Sequence, residues 1–318
     1  MNADREGRRA SRTCYFPRYS LTYNKMKVNN KNAIINRLRK SKTPISGEEL
    51  SKELKISRTA IWKNINQLKN EGYTINSSHL GYLLDKKDDL LLPYEFQEDS
   101  DLYIYKQSTE STIDIAKNLI LKGRVKNWQI VVTEMQHSGR SKGTKKFLSP
   151  IGGLYFTVIL FPNIPFMNIN LIPMAGLLAV SDSIKEILGI NTKLRWPFEV
   201  WNNDKKISGI LHEYSFNGRR CEWLTLGIGV NLGVEIPRRK LLESIRRKLK
   251  DSLLNIDTIL DRYKDELNLK NRHCLFNIEG ESKTGIVDNI DRLGTLTVIN
   301  QNSKEFCYIG DSYIKEIT

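Results

Sequence analysis

Residues 136–155 read QHSGRSKGTKKFLSPIGGLY. Glycines punctuate the stretch, and Arg140, Lys142, Lys145 and Lys146 make it cationic. Apolar residues 128–132 run into it and 154–160 lead away, so it reads as a loop between two buried strands. Such a loop builds core poorly. It suits an anionic, phosphate-bearing ligand, because glycine lets backbone N–H groups approach and the cations supply charge. Most basic loops are simply solvated, so its weight comes from a second stretch, residues 194–213, LRWPFEVWNNDKKISGILHE. There Trp196-Pro197 and the acid Glu199 lead through a turn to Lys205-Lys206, with Gly209 at the start of an apolar strand.

Composition bounds the rest. A chain of 318 residues with 40% hydrophobic content can hold two or three domains with real cores. No apolar run approaches the roughly 20 residues of a membrane helix, so no membrane partner is expected. Residues 1–25 are polar and Arg-rich without an apolar core, unlike a secretory signal. Residues 1–26 are therefore expected to be disordered, or an extension upstream of a start at Met26. Cys14, Cys221, Cys274 and Cys307 have no paired metal spacing and read as reduced thiols of a cytoplasmic protein. A net charge of +14 favours a polyanionic partner, although a Lys- and Asn-rich composition also inflates Lys everywhere.

Residues 27–84 read as three helices and a hairpin, a winged helix-turn-helix. Ser46-Gly-Glu-Glu49 has the form of a capping box, with Ser46 capping and Glu49 reaching back. Ser57 caps a third helix over 58–71, and a hairpin over 72–84 turns at Ser77-Ser78. Ile61, Ile65 and Leu68 point inward at helical spacing, leaving Ser57, Arg58, Thr59, Lys63, Asn66 and Gln67 exposed. Those residue types at a recognition helix can contact phosphates and base edges, although winged helices also dock proteins. Residues 85–100 are acidic and read as a linker. Residues 101–270 read as an α+β domain with a mixed sheet, and 271–318 as short strands with turns. Gly227-Ile-Gly229 follows a strand, but no third glycine completes a dinucleotide fingerprint.

Together the two stretches resemble biotin protein ligases of the bifunctional kind that also represses the biotin operon. In that family a GRGRRGRxW loop precedes SPxGGLY, and KWPND precedes a turn and KxxGIL-E. The resemblance covers about 27–318. It implies an α+β architecture: a winged helix-turn-helix, a biotin/lipoate-ligase-type catalytic domain and a small SH3-like β-barrel. It implies biotin and ATP as substrates, Mg²⁺, a biotinyl-5′-AMP intermediate, and as partners a biotin carrier domain, operator DNA and a second copy in a homodimer. Residue by residue it implies catalytic roles for Lys206 and Arg140. Biotin contacts fall on Ser111, Thr112, Gln136, Gly139, Arg140, Ser141, Lys142, Lys206, Gly209, Gly227 and Gly229. ATP contacts fall on Lys142, Lys145, Phe147 and Asn231, a metal contact on Glu199, and DNA contacts on Ser57, Arg58, Thr59, Lys63 and Asn66. Without that context Asp204-Lys205-Lys206 is a hairpin turn with solvated charges, and Ser111 an ordinary helix N-cap.

The chain departs from the pattern. Ser141 replaces a glycine. Lys142 and Lys145 replace arginines, which keeps charge but loses the bidentate fork. Gly143 and Thr144 break the rest of the loop. Phe147 stands for tryptophan, Phe198 for the asparagine of WPND, Arg195 for its lysine and Glu199 for its aspartate. After Asn231 the chain runs almost directly into a helix, where the family has a segment that helps bind adenosine. The departures open an alternative: a DNA-binding regulator with a biotin- or adenylate-sensing pocket and weak or lost ligase activity. A lipoate-type ligase on the same fold is a third reading, against which Ser111-Thr112 and the winged helix argue.

Overall fold

The computed structural model describes residues 30–85, 89–141, 146–278, 280–300, 303–309 and 312–317. The expectations for residues 1–26, including Met26 and Cys14, and for Lys142, Gly143, Thr144 and Lys145 lie outside them. No helix among the described residues is long and apolar enough to cross a membrane.

The first unit comprises α1 (Asn30–Arg39), α2 (Gly47–Leu54), α3 (Arg58–Asn70) and a hairpin of β1 (Ile75–Ser78) and β2 (Gly81–Leu84). Ser46 Oγ accepts from Glu49 N and Ser57 Oγ from Ala60 N, each at 3.1 Å, so both helices start on a side-chain cap. The capping box closes only halfway. Arg37 takes the Glu49 carboxylate at 2.8 Å instead of letting it reach back. Ile34, Ile35, Leu38, Leu50, Ile61, Ile65 and Leu68 form the core between the helices. Ser77 and Ser78 belong to β1, so the hairpin turns at His79-Leu80 and not where the serines suggested. The cause is Gly81. Its φ is +130°, and a Cβ there would meet Ile45 O at 2.1 Å, where Ile45 pairs with Tyr82.

Within the acidic segment expected as a linker, residues 89–100 are packed structure. It contains a 3₁₀ helix, Pro93–Leu102. Leu92 joins the winged-helix core, while Leu91 and Phe96 join the core of the next unit. Glu95 is 4% exposed and bridges Arg39 (2.5 Å) to Arg239 (3.1 Å), one from each unit.

The central unit is built on a seven-stranded sheet. Its strands are β3 (Tyr103–Thr109), β4 (Gln129–Gln136), β5 (Leu154–Leu160), β6 (Lys193–Arg195), β7 (Glu199–Asn202), β8 (Lys205–Asn217) and β9 (Arg220–Val230), in the order β3-β4-β5-β9-β8-β7-β6. Only β3 and β4 pair in parallel, so the sheet is mixed. Every residue of β5 is buried, because helices cover both faces. Helix α4 (Thr112–Leu121) packs on Val131 and Ile159. On the other face α5 (Leu171–Leu188), α6 (Arg238–Leu254) and α7 (Ile259–Leu267) share the large core with Ile130, Val132, Phe156 and Val158.

The last unit is an antiparallel sheet of β10 (His273–Ile278), β11 (Glu281–Ile290), β12 (Leu296–Asn300), β13 (Ser303–Cys307) and β14 (Ser312–Ile317), in the order β13-β12-β11-β10-β14. Among the described residues its pairings give a five-stranded antiparallel sheet with β13 and β14 at the two ends of the order. It docks through the β11–β12 turn. Trp196 Nε1 donates to Gly294 O at 2.9 Å, and Asn170 Nδ2 to Leu293 O at 2.6 Å.

Gly81→Ala is expected to destabilise the winged helix by about 1–3 kcal/mol, from left-handed backbone strain plus the clash with Ile45. Urea unfolding of the intact chain measures it, and an unchanged midpoint would contradict the Gly81–Ile45 approach.

Candidate functional site

The α4 face of the sheet is hollowed by glycines. Gly209 pairs directly with Gly229 across β8 and β9, and Gly227 lies two residues along the same face, opposite Leu211. Strands that carried side chains here would fill the space. A Cβ on Gly229 would sit 2.4 Å from the Phe147 ring, and one on Gly227 2.5 Å from Ile113 Cδ1. The result is a cavity of about 520 Å³, a size that suits a small organic ligand.

Into this cavity the fold brings most of the expected ligand residues: Ser111, Thr112, Gln136, Arg140, Ser141, Phe147, Glu199, Lys206, Gly209, Gly227 and Gly229 line it. Gly139 stands just behind, where a Cβ would meet Phe147 O at 2.4 Å. Asn231 does not join them. Its side chain accepts from Gly233 N at 3.1 Å, capping the turn that leads out of β9. Only residues 231–237 separate β9 from α6.

The polar groups are organised in three clusters. In the first, Gln136 Oε1 accepts from Thr112 N (2.9 Å) and Thr112 Oγ1 (3.1 Å), and Gln136 Nε2 donates to Ser149 Oγ (2.9 Å). Thr157 Oγ1 donates to Thr112 Oγ1 at 2.8 Å. Beside them Ser111, 1% exposed, has no partner for its hydroxyl among the described residues. It holds the N-cap position of α4 without making a cap hydrogen bond. Helix capping therefore does not account for this side chain. A buried hydroxyl left unpaired costs free energy, which a ligand group could recover.

The second cluster holds Lys206. The β7–β8 turn falls at Asn203-Asp204, with Asn203 at φ +50°, so Lys206 lies within β8 and not in the turn. Its Nζ donates to Glu199 Oε1 at 2.6 Å, and Trp201 Nε1 holds the other oxygen at 2.9 Å. The ammonium also lies 5.9 Å from the centre of the Phe147 ring. In the third cluster Arg140 Nη1 meets Glu213 Oε1 at 2.5 Å and Asp114 Oδ1 at 3.0 Å, and Lys117 holds Glu213 Oε2 at 2.7 Å. Both cations thus carry a carboxylate. With Lys206 and Glu199 28% and 33% exposed, such a pair is worth less than about 1 kcal/mol and exchanges readily for a ligand anion.

No group of three or more potential metal ligands occurs among the described residues. Glu199 offers one carboxylate. That fits a Mg²⁺ whose remaining ligands are water and nucleotide phosphates, the usual arrangement for this ion.

Several lining residues escaped the sequence reading. Past the Glu199–Gly209 pair only Ile210 N bonds back, to Phe198 O at 3.0 Å, so the β8 edge beyond is open on that side; His212 lines the cavity there, beside Phe198, which the sequence marks only as a departure from the family pattern. His212 Nε2 lies 3.0 Å from Asn170 Oδ1, and its ring packs edge-on to Phe198. Burial holds its pKa down at about 4, so the imidazole is neutral near pH 7. Ile309 of the last unit also lines the cavity.

On the winged helix, Arg58, Thr59, Trp62 and Asn66 share a groove of about 750 Å³ with Ser77, Ser78 and His79 of the hairpin. Ser57 is spent on the α3 cap. Arg58 and Lys63 are exposed and make no ion pair among the described residues.

Comparison with known proteins agrees with this division. Residues 30–83 match the model of an HTH domain, and residues 105–231 match the Biotin/lipoate A/B protein ligase family. The bifunctional ligase/repressor BirA of Bacillus subtilis is 32% identical over 200 residues, 59% of this chain and 60% of that protein. The chain thus spans three fifths of the length of this relative. The Escherichia coli protein of the same name is 24% identical over 283 residues, covering 79% of this chain and 87% of that one. The fold resembles a biotin protein ligase from Aquifex aeolicus in complex with biotin and ATP, with a TM-score of 0.56 and 22% identity over 67% of this chain and 98% of that one.

Replacing Ser111 by Ala removes a buried, unpaired hydroxyl and is expected to raise the unfolding free energy by about 1 kcal/mol. Urea titration checks this, and a loss of similar size would mean that the hydroxyl is satisfied in the free protein.

Proposed function

We propose that this chain, whose central domain belongs to the Biotin/lipoate A/B protein ligase family and follows an HTH domain, is a biotin protein ligase that also represses transcription. The observation that carries the reading is the convergence of Lys206 and Arg140 with the unpaired Ser111 hydroxyl in one glycine-hollowed cavity. A ligand that is polar at one end, apolar in the middle and anionic at the other matches that lining. Biotin has this form, and its adenylate extends it by a phosphate and a nucleoside.

The first step joins two anions. A carboxylate oxygen of biotin attacks the α-phosphorus of ATP, an oxygen–phosphorus bond forms, and pyrophosphate leaves with the electrons of the broken bond. Lys206 and Arg140 exchange their carboxylate partners for the biotin carboxylate and the α-phosphate oxygens. They thereby offset the repulsion between the reactants and stabilise charge on the five-coordinate phosphorus. Ser111 donates or accepts at the ureido ring, beside the Gln136–Thr112 pair. Phe147 and Ile113 wall the apolar middle and keep water from the mixed anhydride. Glu199, released by Lys206, is the carboxylate available to a magnesium ion brought in on the nucleotide phosphates. In the second step the neutral amine of a carrier-domain lysine attacks the acyl carbon, an amide forms and AMP departs.

The winged helix supplies the regulatory half through the exposed cations Arg58 and Lys63 and the polar edge of α3. A homodimer and a cytoplasmic location belong to the same reading. One observation favours the regulator with a sensing pocket: the segment between β9 and α6 is short.

Lys206→Ala is expected to lower the rate of biotinyl-AMP formation by at least about 100-fold, the order lost with a transition-state donor, while the unfolding curve stays intact. Unchanged turnover would remove Lys206 from the chemistry. Affinity for duplex DNA is expected to fall steeply with salt, and Lys63→Ala to reduce the slope of log K against log salt by about 1. Fluorescence anisotropy measures both, and salt-insensitive binding would contradict a phosphate contact.

A further inference from the structure

Trp62 lies in the middle of α3 with 59% of its surface exposed. An indole left in water forgoes one of the largest burial gains available to a side chain, and the winged-helix core is complete without it. Its position is specific. At helical spacing it is one turn from Arg58 and one turn from Asn66. It faces the groove whose far wall is the hairpin, held to α3 by Lys69 Nζ donating to Ser77 Oγ at 2.9 Å. The cations beside it, Arg58 and Lys63, make no ion pair among the described residues, and Glu48, the acid that also lines the groove, is paired with Lys52 at 2.9 Å. The face therefore presents exposed cations around an apolar plate, which complements a phosphate-flanked groove with an apolar feature at its floor.

We propose that Trp62 reads sequence, its indole packing on the 5-methyl group of a thymine in the major groove of duplex DNA. The proposal rests on the DNA-binding reading above and assigns a base contact within it. The thymine methyl is the apolar feature that the major groove presents. Asn66, four residues on, carries the amide that pairs with the N6 and N7 of adenine. Neighbouring residues on one helix face thus recognise the two bases of A·T-containing steps, while Arg58 and Lys63 hold the backbone.

The test begins with the intact chain selecting duplexes from a random pool. The enriched duplex is then remade with each thymine in turn replaced by deoxyuridine, which deletes only the methyl. At one thymine per half-site, affinity of the unaltered protein is expected to fall about 4-fold, the worth of one buried methyl group. Trp62→Ala is expected to bind the thymine and uracil duplexes equally while keeping the same salt slope, and Trp62→Phe to retain part of the difference. A thymine–uracil difference that survives in Trp62→Ala overturns the proposal, as does salt-dependent binding with no thymine dependence in the unaltered protein. If no duplex is enriched and no salt-dependent binding occurs, the DNA-binding reading falls with it, and the exposed indole marks a protein-docking face.

Discussion

Gly209 and Gly229 sit opposite one another on β8 and β9, and the rest of the site follows from that pairing. Elsewhere on the sheet, alternate side chains fill the space under the helices. Here the missing Cβ atoms let the Phe147 ring and Ile113 come down onto backbone, closer than any side chain would allow. The floor of the cavity is peptide, its walls are apolar, and charge enters at the rim. The fully buried β5 on the inner side of β9 keeps that floor rigid, a condition for holding reacting groups in fixed geometry.

Charge is arranged to be exchanged. Lys206 rests on Glu199, and Arg140 on Glu213 and Asp114, so the free cavity contains no bare cation among these groups. Partly exposed pairs of this kind add little stability, and breaking them costs little when a carboxylate or phosphate arrives. The same acids keep the cations extended toward the cavity beforehand, which lowers the ordering cost of binding. The winged helix contrasts with this. Arg58 and Lys63 make no ion pair among the described residues, which suits a surface that meets a polyanion by long-range attraction.

Much of this was legible in the sequence because it is local. Ser46 and Ser57 cap their helices as their positions imply, the two glycine-bearing stretches flank buried strands, and the Trp196-Pro197 stretch leads into Lys206 as its spacing suggests. What escaped depends on distant residues. The acidic segment 85–100 resembled a linker because its charges look solvated. Glu95 instead pairs with Arg39 of α1 and Arg239 of α6, far from it in sequence on either side, and Leu91, Leu92 and Phe96 were the apolar signal within it. The hairpin turn was placed at the serines, although the close approach of Gly81 to Ile45 decides it. Asn231 caps its own turn, a bond that its place in the sequence did not announce. His212 and Ile309 reach the cavity through the open β8 edge and the docking of the last sheet, neither of which leaves a local trace.

The central claim is that the cavity joins biotin to AMP and hands the acyl group to a carrier lysine. Its most direct test is to incubate the protein with biotin, α-labelled ATP and Mg²⁺, with and without a biotin carrier domain. Labelled biotinyl-AMP is expected to accumulate alone and to disappear when the carrier is added, with biotin appearing on the carrier lysine. Tight binding of biotin with no adenylate formed and no biotin on the carrier would contradict the account and leave a ligand-sensing regulator in its place.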